Sequence, residues 1–117
     1  MKYIITEDRL NQLIFNYLDS QNWYDWDIGD DEFNMAEGER GRDLIRFRIQ
    51  YSHTVPDHSF DVIYIDEDFI RRLTKLFSIT DLISIKTIIR WFNKRYQKNL
   101  SIDNFEWMDT DYDDDDN

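Results

Sequence analysis

The first apolar stretch of the chain has helical spacing. Its hydrophobic residues recur three or four positions apart: Leu10, Leu13, Ile14, Tyr17 and Leu18. That spacing places them on one face of an α-helix. Thr6 is a favourable N-cap, and Glu7 and Asp8 put negative charge in the first turn, where the helix dipole favours it. The pattern predicts a helix over residues 7–20, with Ile5 and Leu10 positioned as a hydrophobic staple.

The pattern then changes from helical spacing to alternation. Tyr24, Trp26 and Ile28 alternate with aspartates, and residues 32–37 form a second candidate strand after the turn at Gly29. Apolar and polar residues also alternate over 45–51 and 60–64. Residues 38–41 suit a hairpin loop, and the loop over 52–59 contains the only proline. These segments predict an antiparallel β-meander of three or four strands over residues 23–65.

Helical spacing returns in the second half of the chain. A helix capped by Asp66 has an apolar face made of Ile70, Leu73, Leu76 and Phe77. Residues 78–80 interrupt the pattern, and Thr80 or Asp81 caps a longer helix that ends near residue 97. Residues 100–108 have room for a last short strand. The expected fold is therefore α+β, with one domain over residues 1–108 and an acidic tail over residues 109–117.

Composition narrows the function classes. A chain of 117 residues is long enough for one domain with its own core, and aromatic residues at 16% supply much of the area to be buried. The absence of cysteine excludes disulfides, cysteine-containing zinc sites and thiol catalysis. No stretch has the length and apolar character of a membrane span or a secretory signal. We therefore expect no membrane association and a cytoplasmic location.

Charge is distributed unevenly along the chain. The net charge is −11, and counting by segment gives −7 for residues 1–37, −3 for residues 38–68, +7 for residues 69–98 and −8 for residues 99–117. One basic segment thus lies between acidic ones. This polarisation favours a surface that docks a partner.

The basic segment includes the long helix. Its apolar stripe consists of Leu82, Ile85, Ile88, Ile89, Phe92 and Tyr96, while Lys86, Arg90, Lys94 and Lys98 line the opposite side and Trp91 lies beside them. Such a face is typical of phosphate-contacting surfaces. The alternative is a solvated or internally neutralised face, with Trp91 packed under a neighbouring element.

Two helices joined by a short break also suggest a helix-turn-helix. Trp91-Phe92 matches the start of the homeodomain motif W-F-x-N-x-R, but Lys94 replaces the asparagine and Tyr96 replaces the arginine. The match therefore fails at the positions that would read bases. Nucleic-acid binding through residues 81–97 is the third-ranked function, and the total charge of −11 opposes it.

The tail carries a run of carboxylates: Asp109, Asp111, Asp113, Asp114, Asp115 and Asp116. The first three match positions 1, 3 and 5 of an EF-hand loop, but Asp114 replaces the required glycine and the glutamate at position 12 is missing. An EF-hand is therefore rejected. Dense like charge predicts a disordered tail that serves solubility or has a specific electrostatic role.

An acidic tail tethered close to a basic helix can cover that helix until a partner displaces it, because short tethers give effective concentrations on the order of millimolar. Deleting residues 109–117 should then increase nucleic-acid binding at low salt. Electrophoretic mobility shifts would measure this, and unchanged binding would contradict the hypothesis.

Aromatic and acidic residues cluster at the start of the predicted meander. Alternation places Tyr24, Trp26 and Ile28 on one strand face, which is more often core, and directs Trp23 to the other face as a contact candidate. Aromatic anchors flanked by charge are typical of binding surfaces. The full set of partner-contact candidates is Trp23, Asp30, Asp31, Glu32, Lys86, Arg90, Trp91, Lys94 and Lys98.

His53, Asp57 and His58 share a loop and could bind a metal or transfer protons. The loop offers no third strong ligand and no nucleophile with a base. Two exposed histidines are the more ordinary interpretation. No phosphate-binding loop, dinucleotide fingerprint or nucleophile elbow occurs in the chain. We therefore predict no catalytic residue, no metal and no cofactor, and do not expect an enzyme.

Two segments resemble those of a known group of proteins. The opening K-Y-I-I-T-E-D-R-L-N-Q-L-I, residues 2–14, resembles the starts of many short proteins of tailed bacteriophages. The stretch I-I-R-W-F-N-K-R-Y, residues 88–96, is similar to a late amphipathic helix in such proteins. The resemblance implies a small accessory, virion or host-interaction protein in the host cytoplasm or the virion. It carries over no activity to any residue.

Three functions follow in order. The first is a non-enzymatic protein-binding module that acts on a phage or host protein, as a minor virion component or a modulator of a host factor. The second is an acidic inhibitor that imitates the phosphate array of nucleic acid on a DNA-binding protein, which requires ordered carboxylates over residues 19–43. The third is nucleic-acid binding through the basic helix.

Overall fold

The fold is α+β, as the sequence pattern predicts. A computed structural model describes residues 6–38, 44–54 and 61–108. Its helices are α1 (Glu7–Ser20), α2 (Glu67–Phe77) and α3 (Asp81–Tyr96). Its strands are β1 (Trp23–Ile28), β2 (Glu32–Glu37), β3 (Ile45–Gln50), β4 (Val62–Ile65) and β5 (Phe105–Trp107), with 3-10 turns at Ser52–Thr54 and Ile102–Asn104.

Several sequence predictions concern residues that are not described. They are the staple involving Ile5, the hairpin loop at 39–41, the loop histidine His58 with Asp57, and the tail over 109–117. These predictions lie outside the described residues.

The five strands form one sheet in the order β1-β2-β3-β4-β5. Strands β1 to β4 pair antiparallel, each with its neighbour in sequence, which confirms the predicted meander. The last strand, β5, pairs parallel with β4 after the chain has passed through α2 and α3. A parallel neighbour requires such a long crossover. Among the residues described, strands β1 and β5 are therefore the two edges of the sheet.

The helix boundaries follow their capping residues. Thr6, Asp66 and Thr80 each accept a hydrogen bond from the backbone N–H three residues later, over 3.2, 3.1 and 3.2 Å. These bonds satisfy donors that a helix start leaves unpaired. Helices α2 and α3 both end in a left-handed residue, Ser78 and Gln97. The predicted helix at 7–20 and the break at 78–80 are confirmed.

The core lies between the helices and one face of the sheet, and Phe47 of β3 is at its centre. Its ring centroid lies 5.3 Å from that of Trp23, 5.4 Å from that of Phe69 and 6.1 Å from that of Trp91. These residues come from β1, α2 and α3. One aromatic cluster therefore joins the sheet to two of the three helices. As expected from the high aromatic content, large rings supply buried area at this junction.

A cluster of arginines and carboxylates joins the sheet to α2. The register of β2 and β3 shifts between Met35 and Ala36, which leaves Arg46 as an extra residue in β3. Arg46 donates to Glu37 over 3.1 Å and also to Asp66. Arg72 donates to both oxygens of Glu37, over 2.6 and 3.2 Å. We call these four residues, Glu37, Arg46, Asp66 and Arg72, the arginine–carboxylate cluster.

The cluster shifts the titration of its central carboxylate. Burial by itself would raise the pKa of Glu37, but the hydrogen bonds from Arg72 and Arg46 outweigh it, so the pKa lies below the ordinary value of 4.5. The guanidinium groups of Arg46 and Arg72 also lie over the Phe69 ring, at 5.9 and 5.2 Å from its centroid. Charge pairing and cation–π contact thus act at the same place.

Candidate functional site: the outer side of strand β1

Strand β1 faces the opposite way from the sequence-based prediction. Trp23, predicted to be a contact residue, packs into the core against Phe47, Phe69 and Trp91. Its indole N–H donates to the carbonyl of Leu18 over 2.8 Å. The turn between α1 and β1 therefore places Trp23 under the helices. Alternation alone shows that two faces differ, and it does not show which of them is covered.

The residues predicted to be core lie on the sheet face that the helices leave uncovered, which we call the open face. Tyr24 is 43% exposed and Ile28 is 49% exposed, while Trp26 between them is half-buried. The rings of Tyr24 and Trp26 lie side by side, with centroids 5.2 Å apart. Large apolar side chains thus line the outermost strand of the sheet on its solvent side.

A polar row lies next to this apolar strip on the open face. Trp26 pairs across the sheet with Asn34, and Asn34 pairs with Arg48. Arg48 donates to the Asn34 side chain over 2.9 Å, and Asn34 donates to Glu32 over 3.0 Å. Arg48 is also 3.6 Å from the Glu32 carboxylate. Glu32, a predicted contact residue, is therefore on the open face, but its carboxylate already contacts Asn34 and Arg48.

Tyr64 extends the open face towards β5. It pairs across the sheet with Arg48 on one side and Glu106 on the other. Burial raises the pKa of Tyr64, the charge of Glu106 raises it further, and Arg48 lowers it. The phenol therefore stays protonated well above neutral pH and is available as a hydrogen-bond donor.

The other face of β1 carries its aspartates, at the margin of the helical layer. Tyr96 of α3 donates its hydroxyl to Asp25 over 2.7 Å. Burial and this bond raise the pKa of Tyr96 to about 12. Within the described part of the chain, Asp27 has no hydrogen-bond or ion-pair partner, although its charge contributes to raising the pKa of Tyr51. Asp27 is thus an uncompensated charge beside the edge of the sheet.

The turn between β1 and β2 continues the acidic character. Gly29 adopts a positive φ of 54°, and Asp30 and Asp31 follow it. The carboxylate of Asp31 lies 3.5 Å from the His53 imidazole, and both side chains are more than half exposed. The predicted contact residues Asp30 and Asp31 are therefore at the surface, close to the aromatic strip of β1.

The predicted basic face of α3 forms one line. Lys86, Arg90 and Lys94 lie four residues apart and are all exposed, and none has an ion-pair partner among the residues described. Lys94 also lies over the ring of Phe15, and Lys98 lies over the ring of Tyr51. The two arginines of α2 differ, because Arg71 pairs with Glu67 and Asp81 while Arg72 pairs with Glu37. The tail proposed to cover α3 lies outside the described residues, so that hypothesis stays a prediction.

Trp91 does not belong to this basic surface. Its side chain is 3% exposed, it packs against Trp23, and its indole N–H donates to Asp19 of α1 over 2.8 Å. Because α1 covers this side of α3, the prediction of Trp91 as a contact residue is corrected. The structure supports the alternative in which Trp91 packs under a neighbouring element.

Helix α3 is buried over most of its circumference. Its buried residues are Ser84, Ile85, Thr87, Ile88, Ile89, Trp91 and Phe92. Leu82, assigned to the apolar stripe, is 50% exposed because it lies in the first turn of α3. A recognition helix must insert into a DNA groove, and α3 exposes only a narrow stripe of its surface for such a contact.

A surface pocket of about 230 Å³ lies between α1 and α3. It is lined by Gln12, Phe15, Asp19, Trp91, Lys94 and Arg95.

Neither metal-binding nor membrane-spanning features occur in the part of the chain that the structure describes. Residues 6–38, 44–54 and 61–108 contain no group of three or more His, Asp or Glu side chains placed to hold a metal ion. None of the helices described there combines the length and the apolar composition that crossing a bilayer requires.

One feature of the β1 sequence argues against assigning the faces of this strand by alternation. Two aspartates stand between the three apolar residues of β1, and Trp23 shares the face of those aspartates, so the pattern alone does not assign either face to the core. Comparison with other proteins adds no relative: no protein-family model matches the chain, and no curated protein or solved structure matches it significantly.

Proposed function

We propose that this protein is a non-enzymatic protein-binding module that docks its partner on strand β1. The observation that carries the proposal is the exposure of Tyr24 and Ile28, with Trp26 between them, on an edge strand beside the acidic turn at Asp30 and Asp31. Aromatic residues are enriched in protein interfaces, where they provide a large contact area at low entropic cost.

The partner is proposed to be a phage or host protein. The resemblance of residues 2–14 and 88–96 to short proteins of tailed bacteriophages supports this part of the proposal. On this basis the protein is proposed to act as a minor virion component or as a modulator of a host factor. The docking surface on β1 is defined by its own exposed side chains and does not depend on that resemblance.

The geometry favours protein binding over imitation of nucleic acid. Imitation requires carboxylates that are both ordered and free to face the partner. Most carboxylates in the described residues 19–38 contact their own chain. Those engaged are Asp19, Asp25, Asp31, Glu32 and Glu37. Only Asp27 and Asp30 lack a side-chain partner among the described residues, and two charges do not make a phosphate array.

A paired set of variants tests the docking surface. The double variant Tyr24→Ser/Ile28→Ser removes apolar area from the open face without opening the core. The control Leu76→Ser/Leu82→Ser removes a similar area from helices α2 and α3, where these leucines are 55% and 50% exposed. Tagged wild-type protein and both variants would be used to capture partners from host lysate, and each captured protein would be purified and titrated by calorimetry.

We expect the partner to bind the wild type and the control alike, and to bind the β1 double variant at least about tenfold more weakly, the equivalent of 1.4 kcal/mol. Equal affinity for the wild type and the β1 variant would overturn the proposal. Thermal melts of all three proteins exclude unfolding as the cause.

A further inference from the structure

The outer edge of β1 presents a regular set of backbone groups. Asn22 accepts a hydrogen bond from Gly38 across the β1–β2 pair, and Ile28 accepts one from Asp31 at the other end. Backbone groups of an antiparallel strand point alternately to one neighbour and then to the other side. The even-numbered residues of β1 therefore bond to β2, and the N–H and C=O groups of Asp25 and Asp27 point outward, where the described residues provide no further strand.

The side chains beside these groups differ between the two faces. A strand added outside β1 would place alternate residues next to the carboxylates of Asp25 and Asp27. Its intervening residues would lie on the open face, next to Tyr24, Trp26 and Ile28. Cross-strand neighbours on one face contact each other directly, so the added strand should carry positive charge on one face and apolar groups on the other.

The two aspartates are not equivalent. Asp25 already accepts a hydrogen bond from Tyr96, whose oxygen also accepts one from Arg95 over 3.2 Å. Asp27 has no such partner among the described residues, and Asp30 and Asp31 add negative charge beyond it. The uncompensated charge therefore lies at the Asp27 end of the edge.

This arrangement disfavours a second copy of the chain as the added strand. In a two-fold symmetric antiparallel pair centred on Trp26, Asp25 of each copy would lie opposite Asp27 of the other. Like charges directly opposite each other destabilise a strand pair, and inward charges on edge strands are a common protection against self-association. The edge of β1 therefore favours pairing with a basic strand and disfavours pairing with β1 of a second copy.

We propose that β1 accepts an extended segment of its protein partner in which lysine or arginine alternates with apolar residues, so that the segment becomes a sixth strand of the sheet. This inference rests on the proposed function and specifies the partner's chemistry. Main-chain bonds to Asp25 and Asp27 supply general affinity, and the two faces supply selectivity.

The test uses the full chain and two blocked peptides of identical composition. In one peptide lysine alternates with valine, and in the other the same residues are grouped in pairs. Amide hydrogen exchange measured by NMR should show new protection at the Asp25 and Asp27 N–H groups when the alternating peptide is added, and none with the grouped peptide. Calorimetry should give the alternating peptide an affinity at least about tenfold higher.

Charge reversal provides the matched control. Asp27→Lys should weaken binding of the alternating peptide about tenfold or more, while Asp103→Lys, which changes the net charge equally near the other edge of the sheet, should change it less than about twofold. Equal effects of the two variants, or peptide binding without protection of Asp25 and Asp27, would overturn the inference.

The remaining outcomes separate this inference from the function on which it rests. Concentration-dependent protection of Asp25 and Asp27 in the protein alone, with a dimer in sedimentation, would identify a second copy as the occupant and overturn the inference. If the Tyr24→Ser/Ile28→Ser variant loses its captured partner while neither peptide binds, the proposed function stands and the strand-addition inference fails.

Discussion

Replacing Trp23 by alanine is expected to destabilise the protein by about 3 kcal/mol, the lower end of the range measured for buried aromatic residues, because part of the ring reaches solvent. The substitution removes the ring that contacts Phe47, Phe69 and Trp91, and it leaves the Leu18 carbonyl without its indole donor. A loss of this size is a large fraction of the 5–15 kcal/mol that stabilises an ordinary domain. Urea unfolding followed by circular dichroism would measure it.

The neighbouring residue is the control for this prediction. Tyr24→Ala changes an aromatic residue of the same strand on the open face, where the side chain is 43% exposed, and should cost less than about 1 kcal/mol. If Tyr24→Ala were the more damaging substitution, β1 would face the other way, and the proposed docking surface would be part of the core.

The second large effect is expected at Glu37. Glu37→Gln keeps the size of the side chain and removes the charge that holds Arg46 and Arg72, so it should cost about 2–3 kcal/mol at neutral pH. That is less than the 3–5 kcal/mol typical of a fully buried pair, because Arg46 keeps Asp66 and Arg72 is one third exposed. Chemical unfolding at pH 7 would measure the difference from wild type.

The same variant should alter the dependence of stability on pH. Because the pKa of Glu37 is lowered in the folded protein, its contribution is present above the ordinary pKa of 4.5 and is lost as pH falls through the lower folded value. The stability difference between wild type and Glu37→Gln should therefore shrink as the pH falls below about 4. Asp68→Asn, at an exposed carboxylate of α2, controls for general acid effects. A difference that stays constant to pH 3 would contradict the assignment of the charge to Glu37.

Most of the fold could be predicted from the sequence because its signals are local. Helical spacing with capping residues such as Thr6 and Asp66 defines α1 and α2 within a residue or two, and alternation defines the strands. The parallel pairing of β5 with β4 could not be predicted in this way. It depends on where α3 delivers the chain, which is a tertiary property.

The candidate site was predictable in composition and not in orientation. The sequence identifies the aromatic and acidic residues of β1 and its turn as a cluster, but the face of each residue depends on the short connection from α1, which turns Trp23 towards the helices. The prediction of Trp91 near the basic surface is wrong because it also omits the neighbouring elements. A helical wheel gives its angle on α3 but does not show that Asp19 of α1 lies over it.

The parallel strand at the end of the described chain has a consequence for biosynthesis. Ile63 of β4 pairs with Phe105, so the sheet cannot be completed until the ribosome has synthesised the chain through β5. Until then β4 is an unpaired edge rich in isoleucine, the kind of segment that associates with other nascent chains. Shortening the chain before Phe105 would make that vulnerable stage permanent, so aggregation during expression is the expected fate of such truncations.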